Sequence, residues 1–233
     1  MRYKYILIGL GLVVLIMFVM NTLVLKGLTW VIPSLASALK SKPFLGPPIG
    51  ISIELATTLV LIEVISRGSW TRYGFKTSSN LMILKVVVAS LILSISCVLI
   101  GNVINIFAPM GNSPYAYMQS SPLLAILVAW IFGPITEEVV FRGLIQSYLS
   151  EHITGSLTLF KWRITLPTLI GAIFFTAVHT FYLFQGASIS LTIFTVLSAF
   201  VSGITAGYFR DETGSLVGPF ITHILFNVIG STV

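Results

Sequence analysis

Residues 5–25 read YILIGLGLVVLIMFVMNTLVL, a run without a charged side chain that follows Arg2 and Lys4. A helix of about 20 apolar residues is long enough to cross the hydrocarbon core of a bilayer. A cleaved signal peptide is the alternative, but its apolar part is only about 7–15 residues long. The sequence therefore predicts a retained transmembrane helix from Tyr5 to Leu25.

Six further apolar runs follow along the chain. They cover Gly50–Ser66, Ile83–Ala108, Pro122–Leu149, Thr165–Phe184, Ile189–Phe209 and Leu216–Gly230. The proline-rich segment Lys26–Pro48 is predicted to hold either a short interfacial helix or an eighth membrane segment. The sequence therefore predicts an all-α fold, a polytopic transmembrane bundle of seven to eight membrane helices.

The composition agrees with this fold. The chain has 233 residues, of which 56% are hydrophobic and 9% are charged, whereas about 25% of residues are charged in an average soluble domain. So few charges cannot cover a water-soluble surface, and residues 1–233 are predicted to form one integral membrane domain. The net charge is +6, but the basic residues are scattered singly, so we expect no nucleic-acid partner. The single cysteine, Cys97, excludes an internal disulfide framework.

Loop charges predict an orientation. The loops Ile106–Ser121 and Leu183–Ser190 carry no Lys or Arg, whereas the loop from Arg67 to Lys85 carries four. Lys and Arg accumulate in short cytoplasmic loops. Seven spans then place the N-terminus in the cytoplasm and the C-terminus outside, and an extra span within Lys26–Pro48 would reverse the N-terminus. A bacterial plasma membrane is the expected location.

Three spans carry polar side chains, and an ionisable group inside a membrane indicates function because it is costly there. In the fourth span, Glu138 and Arg142 are one helical turn apart and can pair. This leaves Glu137 without a partner on its own helix, which suits a group that accepts a proton and returns it. Glu54 and Glu63 are near the ends of the second span, and Glu63 is one turn from Arg67, so they are interpreted as part of an interfacial ion pair.

Two other spans supply histidines. His179 follows Phe175 by one turn and, taken alone, is typical of a polar contact between helices. His223 and Asn227 are also one turn apart, and two hydrogen-bond donors can stabilise an oxyanion, although interhelical hydrogen bonding is an equal alternative. At about 1.5 Å per residue, Glu137, His179 and His223 fall within about 11 Å of one another in membrane depth. This shared depth favours a single polar site.

Together these residues resemble the CPBP family of intramembrane proteases, which contains type II CAAX-prenyl endopeptidases and bacteriocin-processing or self-immunity proteins. The family pattern is two glutamates, three residues and Arg, then Phe, three residues and His, then His, three residues and Asn or Asp. The matching residues here are Glu137 and Glu138 with Arg142, Phe175 with His179, and His223 with Asn227. Residues 120–233 are the motif-bearing part and the expected catalytic core.

The resemblance implies a bundle of about eight membrane helices around an inward-facing polar cavity. It also implies that a water activated by a glutamate and a histidine hydrolyses a peptide bond. By position, it assigns the general base to Glu137, water binding to His179, oxyanion stabilisation to His223 and Asn227, and support to Glu138, Arg142 and Phe175.

The leading hypothesis is an intramembrane endopeptidase without a cofactor, acting on a membrane-associated peptide or protein in peptide maturation or bacteriocin self-immunity. A zinc protease with His179, His223 and Glu137 as ligands is an alternative, although no His-Glu-x-x-His helix is present. A non-catalytic immunity or scaffold protein is another. A proton-coupled transporter ranks last, because the two halves of the chain show no corresponding broken helices.

Overall fold

The computed structural model describes residues 3–111, 122–159 and 161–231. These residues form eight helices and one β-hairpin. The helices are α1 (Tyr3–Val31), α2 (Pro33–Ser41), α3 (Pro43–Ser66), α4 (Asn80–Phe107), α5 (122–152), α6 (Leu166–Gln185), α7 (Ile189–Thr213) and α8 (Val217–Gly230). The strands are β1 (Ser156–Leu159) and β2 (Trp162–Thr165).

The predicted all-α, polytopic fold is confirmed. Within the described residues, α1, α3, α4, α6 and α7 are long and apolar enough to cross a membrane, and α8 is a shorter apolar helix. Helix α2, with 9 residues, is only about 14 Å long and too short for a span. The Lys26–Pro48 segment therefore contains a short helix. Residues 112–121 of the predicted external loop lie outside the described residues, and the orientation stays a prediction.

The β-hairpin is a feature that the sequence did not predict. Strand β1 pairs with β2 in antiparallel register, with Ser156 opposite Thr165 and Leu159 opposite Trp162. It occupies the loop between the fourth and fifth predicted spans. Each strand is only 4 residues long, so the alternation that normally reveals a strand is too short to stand out.

Hydroxyl side chains cap the N-termini of three helices. Ser79, Thr165 and Ser188 accept hydrogen bonds from backbone N–H groups three residues further on, at 3.4, 3.2 and 3.1 Å. Such N-caps satisfy donors that the first turn of a helix leaves without partners. The tight turn from α7 to α8 uses Gly214 at φ 65°, a conformation that glycine adopts without steric cost. These signals mark where α4, α6 and α7 begin and where α7 ends.

Helix α5 is the centre of the molecule, in contact with α1, α3, α6, α7 and α8. The segment Gly133–Glu138 of α5 lies between two π-helical stretches, Ile126–Phe132 and Val139–Ile145. All residues of the second stretch are buried. π-Helical turns are rare and occur often at functional sites. The sequence did not predict them, and they bracket the two glutamates.

Candidate active site

The deepest part of the site is a buried ion pair on α5. Arg142 Nη1 donates to Glu138 Oε1 at 2.9 Å, and both side chains are almost fully buried. Arg142 Nη2 donates to the Gly203 carbonyl of α7 at 3.1 Å. A buried ion pair is stable only when further hydrogen bonds satisfy it. The pair that the sequence predicted is therefore present, and it also joins α5 to α7.

His223 of α8 extends this network. Its Nδ1 lies 2.8 Å from Glu138 Oε1, the oxygen that also accepts from Arg142. An ionised carboxylate only accepts hydrogen bonds, so Nδ1 carries the proton and donates it to Glu138. This bond fixes the plane of the His223 ring and leaves Nε2 facing the other glutamate.

Glu137 lies on the accessible side of the network. Its Oε2 is 3.8 Å from His223 Nε2, too far for a direct hydrogen bond. Within the part of the chain that the structure describes, this oxygen has no hydrogen-bond partner. The Glu137 side chain is 27% exposed, whereas Glu138 is fully buried. Glu137 thus combines a partly exposed side chain with a buried oxygen, Oε2, that has no protein donor among the described residues.

His179 of α6 faces the same space. Its Nδ1 lies 2.8 Å from the carbonyl oxygen of Phe175, one turn earlier on α6. A carbonyl oxygen only accepts, so Nδ1–H donates and Nε2 of the neutral ring keeps a lone pair. Glu137, His223 and Arg142 all lie within electrostatic range of this ring.

The Phe175 ring holds these groups together. It packs against the two histidine rings, at 4.6 Å from His179 and 5.3 Å from His223 between ring centroids. The guanidinium carbon of Arg142 lies 4.5 Å from the Phe175 centroid, within the range of a cation–π contact. One aromatic ring therefore sets the spacing between α5, α6 and α8.

Asn227 lies at the edge of the site, one turn beyond His223 on α8. Its Nδ2 donates to the carbonyl oxygen of Ala129 on α5 at 2.9 Å. A side-chain amide has two N–H donors, so this bond orients the amide and uses only one of them. His223 and Asn227 both face α5, as their spacing on the helix predicted.

The structure changes the interpretation of Glu54. Its Oε1 accepts a hydrogen bond from Asn21 Nδ2 of α1 at 2.8 Å, and Glu137 lies within electrostatic range of it. Glu54 is thus a half-buried carboxylate that bonds to α1, and not a member of the interfacial ion pair inferred from the sequence. Glu63, at the other end of α3, accepts a hydrogen bond from Trp70 Nε1 at 2.6 Å.

The register of α3 against α5 explains the position of Glu54. The nearest atom of Ile51 is 3.9 Å from a Cβ placed on Gly133, and that of Ile62 is 3.7 Å from a Cβ placed on Gly143. The two helices therefore run parallel, and Glu54 and Glu137 lie at similar heights between these two contacts. Ile51, Glu54, Thr58 and Ile62 follow helical spacing on one face of α3. This spacing can be read from the sequence, but the helix against which this face of α3 packs cannot.

Zinc ligands were an alternative role for His179, His223 and Glu137. Across residues 3–111, 122–159 and 161–231, side chains of His, Cys, Asp and Glu do not form a group of three or more with metal-binding geometry. The hydrogen bonds of Nδ1 in both histidines would leave only Nε2 for a metal.

Comparisons with known proteins match part of this chain. Residues 119–229 match the family model described as Rce1-like, type II CAAX prenyl endopeptidase. An uncharacterized 24.3 kDa protein of Escherichia coli is 24% identical over 108 residues, covering 46% of this chain and 43% of that protein. This chain therefore matches less than half the length of that relative. No solved structure matches the chain.

Proposed function

We propose that this chain, whose residues 119–229 match the Rce1-like family of type II CAAX prenyl endopeptidases, hydrolyses a peptide bond in a membrane-associated peptide or protein with a water activated by Glu137 and His179. The family supports an intramembrane protease of the CAAX type. The observation that carries the glutamate mechanism is the Glu137 oxygen that lies 3.8 Å from His223 Nε2 and has no hydrogen-bond partner among the described residues.

In the first step, a water binds between the Glu137 carboxylate and Nε2 of His179. Both groups accept hydrogen bonds, so together they orient both O–H bonds of the water. Glu137 takes one proton as the water oxygen attacks the carbonyl carbon, which gives a tetrahedral intermediate with a negatively charged oxygen. The bond from His179 Nδ1 to Phe175 keeps Nε2 available as an acceptor.

The second group of residues stabilises the negative oxygen. Asn227 supplies its remaining N–H, and His223 supplies Nε2–H. Because Nδ1 of His223 already donates to Glu138, a donating Nε2 requires the imidazolium form. Its charge is balanced by the Glu137 carboxylate, 3.8 Å away, before the attack and by the oxyanion after it. Preorganised donors at a developing oxyanion are often the largest catalytic contribution. Glu137 then transfers its proton to the leaving amine, and the products are a carboxylic acid and an amine.

The test is cleavage of a membrane-tethered reporter peptide by purified wild type and Glu137→Gln. Glutamine keeps the size of the side chain but cannot take the proton, so we expect the cleavage rate to fall by about 10²–10⁴-fold. Glu63→Gln is the matched control, because Glu63 lies on α3 and bonds to Trp70, and it should cleave like wild type. Full activity in Glu137→Gln would refute the role of Glu137 as the base.

The same assay with a strong metal chelator separates the two kinds of protease. Under the proposed mechanism the chelator leaves the wild-type rate unchanged. Loss of cleavage with chelator, and recovery on addition of Zn²⁺, would favour the zinc protease over the glutamate mechanism.

For the cellular role we propose peptide maturation or bacteriocin self-immunity in a bacterial plasma membrane, supported by the resemblance of the motifs. A bacteriocin-sensitive strain that expresses the wild-type protein should be protected against that bacteriocin. The same strain expressing Glu137→Gln should not be protected. Full protection by Glu137→Gln would instead assign immunity to a non-catalytic function of the fold.

A further inference from the structure

A groove on the outer surface of α4 lies away from the candidate active site. It has a volume of about 510 Å³ and is lined by apolar side chains of α4, by Lys85, and by Trp162 of the β-hairpin. The apolar lining residues are Leu84, Val88, Ala89, Ile92 and Leu93. We propose that this groove binds one anionic phospholipid, with an acyl chain along α4 and the headgroup phosphate at Lys85.

The length of the groove fits an acyl chain of one leaflet. From Leu84 to Leu93 the helix rises about 14 Å, and one leaflet contributes about 15 Å of a 30 Å hydrocarbon core. Leu84, Val88 and Ile92 are exposed on this face, following the spacing of one side of a helix. The groove therefore extends from the membrane interface to about the middle of the bilayer.

The charge at the upper end of the groove suits a phosphate. Lys85 is exposed within the lining. A lysine near the membrane surface attracts anionic lipid by about 1 kcal/mol, which is about fivefold in affinity. The apolar part of the Lys85 side chain can lie along the groove while the ammonium group stays at the interface.

The hairpin has an apolar face beside the groove. Leu157 and Leu159 are 56% and 63% exposed and, by strand register, share a face with Trp162 and Ile164. Trp162 is held in place by stacking on Tyr208, with centroids 5.0 Å apart and planes at 16°. Tryptophan and tyrosine are enriched where a membrane meets water. The hairpin therefore caps the groove at headgroup level.

The test uses native mass spectrometry of detergent-purified protein titrated with two lipids of identical acyl chains, phosphatidylglycerol and phosphatidylcholine. We expect wild type to bind phosphatidylglycerol more tightly, and Lys85→Gln to lose about fivefold of that affinity with little change for phosphatidylcholine. Trp162→Ala should weaken both lipids, because it removes a wall of the groove.

Lys40→Gln is the matched control, since Lys40 is exposed on α2 and does not line the groove. Lys85→Arg should retain the preference for the anionic lipid. Equal binding of the two lipids by wild type would overturn the proposal, as would equal losses in Lys85→Gln and Lys40→Gln. The measurement requires no proteolysis, so its outcome is independent of the catalytic mechanism.

Discussion

Glu137 and Glu138 are neighbours in the sequence, but they have different surroundings because successive residues of a helix point about 100° apart. Glu138 turns inward, where Arg142 and His223 share one of its oxygens. Glu137 turns toward the accessible space, near His223 Nε2. One carboxylate therefore holds the structure of the site, and the other is free to react.

The buried pair gives a prediction at the scale of one residue. Replacing Arg142 by Leu leaves the Glu138 carboxylate buried without its cation and breaks the bond to Gly203. Breaking such a pair from one side costs about 3–5 kcal/mol. We expect a correspondingly lower free energy of unfolding for Arg142→Leu, measured by denaturation in detergent.

The exposed arginine Arg72 provides the comparison. Its side chain lies 3.7 Å from Glu151, and the two side chains are 63% and 40% exposed. Exposed pairs contribute about 1 kcal/mol or less. Arg72→Leu should therefore stay close to wild type, and equal losses for the two variants would show that burial of Glu138 does not determine the effect.

The residue scale also shows what the sequence could predict. The pairing of Glu138 with Arg142 follows from their spacing on one helix, so it was predictable. The bond between Glu138 and His223 spans 85 residues, and the spacing of residues within one helix carries no information about it. Glu54 was misinterpreted for the same reason, since its hydrogen-bond partner Asn21 lies on another helix.

At the scale of elements, the π-helical stretch Ile126–Phe132 leads directly into Gly133. A Cβ at Gly133 would lie 2.8 Å from the carbonyl oxygen of Val128, and a backbone atom cannot move aside without moving the helix. We predict that Gly133→Ala shifts this turn and displaces Glu137, one turn further on. Cleavage of the reporter should fall by at least about tenfold, since misplaced catalytic groups lose rate steeply.

Gly11→Ala on α1 controls for the change of residue type. A Cβ at Gly11 meets no atom within 4 Å, and alanine favours a helix over glycine by up to about 1 kcal/mol. This variant should keep full activity with unchanged or slightly higher stability. Full activity in Gly133→Ala would show that the π-helical turn does not position Glu137.

Elements with long apolar runs were predictable, because lipid contact demands such runs over a whole helix. The sequence did not predict the hairpin and left two alternatives for the segment that contains α2, since 4-residue strands and a 9-residue helix carry little periodicity. The two π-helical stretches depend on how α5 packs against its neighbours. Local sequence therefore predicted the spans, and packing determined the details around the glutamates.

At the scale of the molecule, Asp211 ties three helices together. Its carboxylate accepts hydrogen bonds from Gln146 of α5 at 2.8 Å, from Thr165 at 2.8 Å, and from Thr168 of α6 at 2.7 Å. We predict that Asp211→Ala lowers the free energy of unfolding by about 2 kcal/mol, because three donors lose a charged acceptor. Thermal or chemical denaturation in detergent measures this change.

The neighbouring Glu212 is the natural control, since it is exposed like Asp211 but lies about 100° further round α7. Glu212→Ala should change stability by no more than about 0.5 kcal/mol, as surface substitutions usually do. If Asp211→Ala is as mild as Glu212→Ala, the three bonds do not hold the helices together.

The order in which the helices are synthesised determines when the long-range bond between Glu138 and His223 can form. The ribosome produces α5 well before α8, so the two glutamates enter the membrane without their histidine from the last helix. During that interval Arg142, one turn away on the same helix, already neutralises Glu138, which lowers the cost of inserting α5. The donor that faces Glu137 arrives only with residue 223, 85 residues after Glu138, so a nascent chain can complete this polar cluster only once α8 has been made.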